Sequence, residues 1–380
     1  MKIIAFFPLF ALLLCIAGCS QTAKQHPEGF KVYQVNLDEK VDPFKEIFSK
    51  AEVIPLETAD SGLIIYMNKV FPVGDEYFIH EREVHKLYVF GKDGKYKRRI
   101  SRYGQGPNDY ISMFDCVVDA PNNDIYMLGV FGQVKRFDMD GNLKCNLMLP
   151  ARPHYYSMEL VNDSCFATWS CLEPDEDCIL VLHKETLDTI NSFWRDDRMF
   201  NHQQLAPFHR LGNKTFYANN LRQKVLEVSP SGLIPAYLWD FGKYNIESRL
   251  DYYLSLENPN DRNNAIIDEI GTPARPFSLR KQAQNHKYSY ASLVREQEMR
   301  PFMTHVFYDK ENDRALVFDH LAEGCELYFP LYMDDNCFIS DIYYDKREAY
   351  KSILPESEYK KLEAMLEDDN PCLLKLYFKK

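Results

Sequence analysis

The sequence predicts an all-β protein built as a six-bladed β-propeller, with a helical insertion in the fifth blade region and a short C-terminal helix. Three observations predict this fold: a repeat of about 46 residues, turn signals at the period of that repeat, and terminal strands able to close a ring. The chain also contains 25 Tyr and 25 Phe, residue types that favour strands. No linker rich in Gly, Ser or Pro divides the 380 residues, so we expect a single folded domain.

The repeat is a polar turn followed by a strand that has an aromatic residue at or near its second position. The six aromatic residues are Phe78, Tyr126, Phe166, Phe216, Tyr288 and Phe338. They are 48, 40, 50, 72 and 50 residues apart. Self-similarity of this length indicates a fold in which each copy is one supersecondary unit.

A second turn follows most copies of the repeat. Asp93-Gly94 and Asp140-Gly141 lie between apolar runs, which is a strong hairpin signal. Ser231-Gly232 occupies the same place in the fourth unit, and residues 185–188 and 308–313 are weaker copies. Two hairpins in each unit give four strands, the number in one propeller blade.

The 72-residue spacing requires an insertion, which residues 244–276 supply. Residues 246–254 inside it have helical rather than strand spacing. A second helix is predicted over residues 355–367, with Tyr359, Leu362 and Leu366 on its apolar face.

Closure of the ring requires a first and a last strand that share one blade. Residues 52–57 are a short strand before the first repeat, and residues 372–378 are a strand at the end of the chain. Pairing these two strands would leave no exposed sheet edge at the junction.

The N-terminus predicts export. Lys2 precedes an apolar run over residues 3–17, which suits a signal-peptide core and is short for a membrane span. The run ends in Ile16-Ala17-Gly18-Cys19, which resembles the lipobox of bacterial lipoproteins and implies cleavage before Cys19 and lipid on its sulfur. The alternatives are an ordinary signal peptide containing a Cys, or a short membrane anchor.

Ser20 stands where sorting rules of other bacteria would place Asp for the inner membrane, so we expect an outer-membrane lipoprotein on the periplasmic or cell-surface side.

These features divide the chain into three parts. Residues 1–18 are the signal peptide, residues 19–50 a tether and lead-in, and residues 51–380 the propeller. The net charge of −11 becomes −12 when Lys2 leaves with the signal peptide, which argues against nucleic acid and anionic lipid as partners. The membrane is therefore reached through the lipid anchor only.

The cysteines give no metal pattern, because no C-x-x-C pair occurs. Cys171 and Cys178 flank the acidic turn LEPDED and could form a disulfide across a hairpin in an oxidising compartment. Small buried apolar side chains are the alternative for most of the cysteines. We predict no cofactor and no specific metal site; a divalent metal in the channel stays an open alternative.

Residues 103–110, with the sequence YGQGPNDY, resemble the G-x-G-P-G-E-Y element of the six-bladed β-propeller lipoproteins of Bacteroides-type bacteria. Residues 241–244 and 369–371 are similar to other parts of these proteins. The similarity covers most of residues 50–380 and implies their fold. This chain carries Asn108-Asp109 where Gly-Glu is usual.

The predicted blades place short hairpins on one face and long connections on the other. Long loops on a rigid scaffold are where binding residues usually lie, so we expect a site on that face around the mouth of the channel. Aromatic, Asn, Asp and Arg side chains there would suit a sugar or a peptide. The candidate residues are Arg82, Arg102, Tyr103, Asn108, Asp109, His154, Tyr155, Trp169, Arg195, Asp196, Asn219 and Arg222. Alternatives are a tight turn for residues 104–110, a self-paired solvated loop for residues 195–198 and a core position for Trp169.

No catalytic signature is present. His80-Glu81 followed by His85 does not have the H-E-x-x-H spacing, and G-x-S-x-G does not occur. We therefore expect a binding or scaffold lipoprotein that recognises a glycan, a peptide or a partner protein of the envelope. The alternatives are a polysaccharide lyase or hydrolase at the channel mouth and a passive structural lipoprotein.

Overall fold

The computed structural model folds as six small sheets in a ring, so the predicted six-bladed β-propeller is confirmed. The structure describes residues 29–100, 104, 106, 109–129, 131–152, 154–171, 177–193, 207–219, 222–246, 249, 252–253, 255–269, 272, 276–297 and 300–380.

The described chain begins with two strands that join blades formed much later in the sequence. They are β1 (Lys31–Gln34) and β2 (Phe48–Ile54), with the short helix α1 (Pro43–Glu46) between them. The Asp42 side chain accepts hydrogen bonds from the backbone N–H groups of Phe44 and Lys45, which caps the first turn of α1.

The first three blades are antiparallel four-stranded sheets of consecutive strands. Blade 1 contains β3 (Lys69–Val73), β4 (Glu76–Glu81), β5 (Lys86–Gly91) and β6 (Tyr96–Ile100). Blade 2 contains β7 (Asp115–Asp119), β8 (Asp124–Leu128), β9 (Gln133–Phe137) and β10 (Leu143–Met148). Blade 3 contains β11 (His154–Asn162), β12 (Cys165–Cys171), β13 (Ile179–His183) and β14 (Thr189–Phe193).

The last three blades include the two N-terminal strands. Blade 4 contains β15 (Phe208–Leu211), β16 (Lys214–Ala218), β17 (Lys224–Ser229) and β18 (Gly232–Asp240), with β1 beside β18. Blade 5 contains β19 (Phe277–Gln284), β20 (Tyr288–Gln297), β21 (Arg300–Asp309) and β22 (Arg314–Phe318). Blade 6 contains β23 (Tyr332–Met333), β24 (Cys337–Ile342), β25 (Cys372–Phe378) and β2.

The aromatic residue of each repeat lies in the second strand of its blade and is buried. Phe78, Phe166 and Phe338 have no exposed surface, and the most exposed of the six, Phe216, is 6% exposed. The repeat is therefore a packing signal, since each aromatic ring fills the space against a neighbouring sheet.

The ring closes in blade 6 as predicted. β2 pairs antiparallel with β25, with Glu52 opposite Lys375 and Ile54 opposite Leu373. The first and last strands of the propeller thus share one sheet, and its outer strand comes from the N-terminal segment.

The lead-in contributes to the fold more than the sequence pattern indicated. β1 adds a fifth strand to blade 4 by pairing parallel to β18, with Lys31 opposite Tyr237. Tyr33 stacks between Tyr237 and Tyr308, at centroid distances of 4.6 and 4.0 Å, and so joins blade 4 to blade 5.

Helices occur in two connections. In the predicted insertion a 3-10 turn (Gly242–Tyr244) precedes α2 (Pro259–Asp268), and Arg249, Tyr252 and Tyr253 have helical backbone. Within blade 6 a 3-10 helix (Tyr344–Ser352) precedes α3 (Glu356–Glu363).

The predicted apolar face of the C-terminal helix is partly wrong. Leu362 is fully buried and Tyr359 packs against the same core, as expected. Leu366, however, is 68% exposed, and Met365 is buried in its place. The helix ends at Glu363, so the 3.6-residue periodicity no longer governs the direction of Leu366.

The propeller has two distinct faces. The hairpin face carries the turns between the first and second and between the third and fourth strands of each blade, such as residues 74–75 and 92–95. The long-loop face carries the other connections, such as residues 82–85, 129–132 and 343–371. The innermost strands β3, β7, β11, β15, β19 and β23 line the channel between these faces.

Candidate functional site on the long-loop face

A series of aromatic rings lies on the long-loop face over blades 1 to 3. The Cζ of Arg82 is 4.6 Å from the ring centroid of Phe114, and that centroid is 5.8 Å from the centroid of Tyr156. The ring of His154 is 6.0 Å from Tyr156 and 6.1 Å from Phe131. We call Arg82, Phe114, Phe131, His154 and Tyr156 the rim cluster.

Each member of the rim cluster lies at or beyond the end of a strand. Arg82 follows β4, Phe114 precedes β7, Phe131 lies between β8 and β9, and His154 and Tyr156 begin β11. The strand ends fix the backbone, while the side chains remain outside the packed blades. The cluster therefore stands on rigid supports, as binding residues on loops commonly do.

The rim cluster is open to solvent. Phe131 is 71% exposed, His154 is exposed, and Phe114 and Tyr156 are partly exposed. Trp169 is almost fully buried and lies 5.6 Å below Tyr156, so it supports the cluster from beneath. Aromatic rings grouped on a surface present a large apolar area and are typical of ligand or partner sites.

A second aromatic group lies on the same face over blades 5, 6 and 1. Tyr66 is 57% exposed, and its ring is 6.1 Å from that of Tyr343. Tyr328 lies 6.3 Å from Tyr343, and the exposed side chains of Leu63 and Ile65 flank Tyr66. Aromatic side chains thus flank the channel mouth on two sides.

The structure brings together only part of the candidate set. Arg82 and His154 belong to the rim cluster, and Trp169 supports it. Tyr155 is fully buried, with its hydroxyl donating to the Pro150 carbonyl oxygen at 2.8 Å, so it serves the core.

Of the other candidates, two lie in blade 4, one lies in the loop before β7, and the rest lie outside the described residues. Asn219 is buried, and Arg222 lies in the same connection of blade 4. Asp109 lies in the loop before β7. The candidates outside the described residues are Arg102, Tyr103, Asn108, Arg195 and Asp196. The Cys171 side chain is also outside them, so the Cys171–Cys178 disulfide stays a prediction.

The described residues of the G-x-G-P-like element form a turn around one carboxylate. Asp109 Oδ2 accepts a hydrogen bond from the Gly106 N–H at 2.9 Å, and the Gly104 N–H donates to the Tyr110 carbonyl oxygen at 3.1 Å. The Tyr110 hydroxyl donates to the carbonyl oxygen of His85. The element thus fixes the loop that follows Arg82, and a Cβ at Gly104 would lie only 2.4 Å from Asp109 Oδ2.

Sequence reasoning missed Phe114, Phe131 and Tyr156. Phe131 carried the clearest signal, because it stands between Gly129 and Gly132 just after an apolar run. A large aromatic residue in a glycine-containing loop has no core to fill, which favours an exposed role.

The channel below the rim contains a cavity of about 280 Å³ lined by a segment from every blade. Its wall carries the charged or imidazole side chains of Lys69, Glu159, His209, Arg210 and Lys281. Burial lowers the pKa of His209 to about 3 and that of Lys281 to about 8, and it raises the pKa of Glu159. Perturbed pKa values that converge on one cavity are a feature of functional sites.

In the described part of the chain, no group of three or more His, Cys, Asp or Glu side chains is arranged to hold a metal ion. Within the same part, no helix has the length and apolar character needed to cross a membrane. The described geometry therefore offers aromatic surfaces and isolated charges as the groups that could contact a ligand.

These features define the chain as a six-bladed β-propeller protein with an aromatic rim on its long-loop face. Over residues 32–377 the sequence matches the family described as a domain of unknown function (DUF4934), and the chain belongs to that family.

Two solved structures are similar to this chain. A Bacteroides fragilis protein described as a putative exported protein is 18% identical to this chain. The TM-score is 0.76, and the match covers 92% of this chain and 99% of that chain. A member of the DUF4221 family from Bacteroides vulgatus is 11% identical, with a TM-score of 0.53 over 88% of this chain and 98% of that chain. Comparison with curated proteins gave no match. The resemblance to propellers of Bacteroides-type bacteria is thus confirmed for family and fold.

Proposed function

We propose that this protein is an exported lipoprotein of the outer membrane whose rim cluster binds a glycan. The observation that carries the proposal is the continuous series of exposed and partly exposed rings from Phe114 through Tyr156 and His154 to Phe131. The C–H faces of sugar rings are apolar, and they stack on aromatic rings while their hydroxyl groups bond to neighbouring polar side chains.

The polar groups of the rim cluster support a sugar over a purely apolar partner. Arg82 holds its guanidinium over Phe114, where it presents donors beside an aromatic face. His154 offers ring nitrogens at the exposed edge. A glycan needs this combination of flat apolar surface and directional donors, whereas a helix of a partner protein would need a continuous apolar groove.

The direction of the N-terminal strand supports an orientation in which the rim cluster points away from the membrane. β1 runs parallel to β18, which starts at the hairpin face, so the chain enters blade 4 from that side. Lys31 at the start of β1 lies 3.9 Å from Asp313 in a turn of the hairpin face. Gly29 lies ten positions after Cys19, and this stretch would span about 35 Å at full extension. A lipid on Cys19 would therefore hold the hairpin face towards the membrane.

Binding is tested on the propeller, residues 29–380, with an array of bacterial and host glycans followed by titration calorimetry of the best ligand. We expect Phe131→Ala and His154→Ala each to weaken binding by about tenfold, because each removes a stacking surface of the rim. Leu366→Ala is the matched control, since Leu366 is equally exposed but lies beyond α3. Absence of glycan binding, or equal effects of Phe131→Ala and Leu366→Ala, would refute the glycan proposal. Product analysis in the same samples would reveal cleavage if the site were a lyase or hydrolase.

The anchor is tested separately by fractionating cells that express the whole chain. The unmodified chain should sediment with the outer membrane, and Cys19→Ala should be released or retained unprocessed, because it lacks the sulfur that carries the lipid. Identical fractionation of both chains would contradict the lipoprotein proposal and leave the rim proposal standing.

A further inference from the structure

The channel wall contains charged side chains that form no ion pair within 4 Å with any described residue. Of the three cations that line the cavity, Lys69 is paired with Asp115 at 2.6 Å. Arg210 and Lys281 form no ion pair with any residue in the described part of the chain. A partly or fully buried cation without a close ion-pair partner is unfavourable, so two such cations are unexpected in a purely structural channel.

Arg210 is the more informative of the two. It lies in β15, the innermost strand of blade 4, and is only partly exposed. Its Nε is buried without a hydrogen-bond partner, and no described residue accepts a hydrogen bond from its guanidinium. The described residues therefore leave the Arg210 guanidinium without a hydrogen-bond acceptor, and its planar fork of N–H donors matches the geometry of a carboxylate.

Lys281 approaches the same cavity from β19 of blade 5. Its Nζ donates to the carbonyl oxygens of Asn68 at 2.8 Å and Pro330 at 3.2 Å, which leaves its positive charge without a neutralising carboxylate within 4 Å. Burial lowers the pKa of Lys281 to about 8, and Asp341 only partly opposes this shift. An anion nearby would restore the preference of Lys281 for its charged form.

Glu159 is the acidic residue of the cavity wall. Its Oε1 accepts a hydrogen bond from the Leu160 N–H at 3.0 Å, and it forms no ion pair with the described residues. Burial raises the pKa of Glu159, and the nearby positive charges of Lys69 and Arg210 partly oppose this shift. The negative charge of Glu159 would repel a phosphate dianion in the cavity more strongly than a monoanion, which disfavours phosphate.

We propose that the channel is a binding site for a small monocarboxylate, which Arg210 and Lys281 hold through its carboxylate group. The site differs from the rim cluster in residues and in ligand. The cavity of about 280 Å³ lies near the lower limit for small-molecule sites, so it fits an organic acid or a single sugar acid and excludes a polymer.

The test measures binding of two carboxylates, lactate and glucuronate, to the propeller. Their neutral counterparts, lactamide and glucose, are the controls, and inorganic phosphate is a third arm. Binding is measured by titration calorimetry and by the rise in melting temperature, since a ligand of the folded state must stabilise it. We expect both carboxylates to bind and both neutral compounds to fail at equal concentration. Phosphate binding tighter than either carboxylate would overturn the ligand class.

Substitution of Arg210 tests whether its guanidinium is part of the carboxylate site. Arg210→Gln should weaken carboxylate binding at least about tenfold, because it removes a charge-assisted bidentate contact. Since Arg210 makes no hydrogen bond in the described fold, Arg210→Gln should fold normally. Arg99→Gln is the matched control, because Arg99 is exposed on the outer strand of blade 1. Equal binding by the Arg210→Gln and Arg99→Gln variants would refute the site.

Glu159→Gln gives an independent prediction of opposite sign. Removal of the like charge should strengthen carboxylate binding by about threefold or more at neutral pH. Weaker or unchanged carboxylate binding by Glu159→Gln would also contradict the proposal. Neither variant alters the rim cluster, so loss of glycan binding and loss of carboxylate binding are separable outcomes.

Discussion

Lys69 and Asp115, the first residues of the innermost strands of blades 1 and 2, form an ion pair with 2.6 Å between Nζ and Oδ1. Asp115 Oδ2 also accepts hydrogen bonds from Ser157 Oγ at 2.8 Å and Met158 N at 3.0 Å. One carboxylate therefore joins three consecutive blades. Burial opposes both charges, yet the surrounding charges and hydrogen bonds together outweigh it, so the pKa of Lys69 is raised and that of Asp115 is lowered.

Asp115→Asn should lower the free energy of unfolding by about 3–5 kcal/mol, because it leaves the Lys69 charge buried without a partner. Urea denaturation measures this change. The double variant Lys69→Met with Asp115→Asn should recover part of the loss, since no isolated charge remains. Glu356→Gln is the control: its exposed pair with Lys360 should contribute less than about 1 kcal/mol. A double variant less stable than Asp115→Asn alone would contradict this account.

Asn370 fixes the segment that leads from the closing blade into blade 1. Its Nδ2 donates to the carbonyl oxygens of Glu57 at 2.9 Å and Gly62 at 2.7 Å, and its Oδ1 accepts from the Ile64 N–H at 2.8 Å. Asn370→Ala leaves two buried backbone groups and one part-buried backbone group unpaired, so we expect a loss of about 3 kcal/mol in urea denaturation. Asn213→Ala, on an exposed hairpin, should change stability by less than about 0.5 kcal/mol. Similar losses in the two variants would show that the bonds of Asn370 are replaceable.

Gly94 allows the outer hairpin of blade 1 to pack against the end of β2. It has a φ of +81°, and an added Cβ would lie 1.8 Å from the Pro55 carbonyl oxygen. Gly94→Ala should therefore destabilise the propeller by more than about 3 kcal/mol, from backbone strain and steric overlap together. Gly212 has a φ of +59° and open space around its Cβ position, so Gly212→Ala should cost only about 1–2 kcal/mol. Thermal or urea unfolding that ranks Gly212→Ala as the worse variant would contradict the packing argument.

His80 should make the propeller sensitive to acid. The side chain is 1% exposed, neither ring nitrogen has a hydrogen-bond partner among the described residues, and burial lowers its pKa to about 3. Between about pH 6.5 and 3 the unfolded chain binds a proton at His80 that the folded protein does not. This contribution to stability is fully present above about pH 6.5 and is lost as the pH falls, by up to about 1.4 kcal/mol per pH unit.

His80→Leu should therefore lose less stability than the original chain between about pH 6 and 4. The slope of the free energy of unfolding against pH should fall by at most the contribution of one bound proton, about 1.4 kcal/mol per pH unit. Urea denaturation at several pH values measures the slope directly. His320→Leu is the control, because His320 is exposed and its removal should leave the slope unchanged. Parallel pH profiles for the original chain and His80→Leu would show that His80 does not carry the effect.

The periodic features of the fold could be predicted because each repeats a local rule. Aromatic residues such as Phe78 and Phe338 recur in the second strand of each blade, and Asp-Gly pairs mark hairpins wherever they stand between apolar runs. Closure by β2 and β25 was also predictable, since a ring without paired ends would leave exposed edges. The prediction was wrong for Leu366, because the helix ends at Glu363, before it reaches this residue.

The candidate site could be predicted only to the level of a face. Arg82 and His154 were identified because long connections carry them, but nothing local distinguishes partly exposed Tyr156 from buried Tyr155, its neighbour on the opposite side of β11. The pairing of β1 with β18 was also missed, because Lys31–Gln34 finds its partner about two hundred residues further along the chain.

The sequence by itself determined the number of blades, their hairpins, the closing strands and the predicted export signal, because each of these depends on residues close together in the chain. Only the tertiary structure decided which side chains meet across blades: Arg82 with Phe114, Lys69 with Asp115, and the channel cavity shared by Arg210 and Lys281. The physical reason is that a propeller brings one short strand from each distant repeat to a common axis, and the distances and burial there depend on the packing of whole sheets.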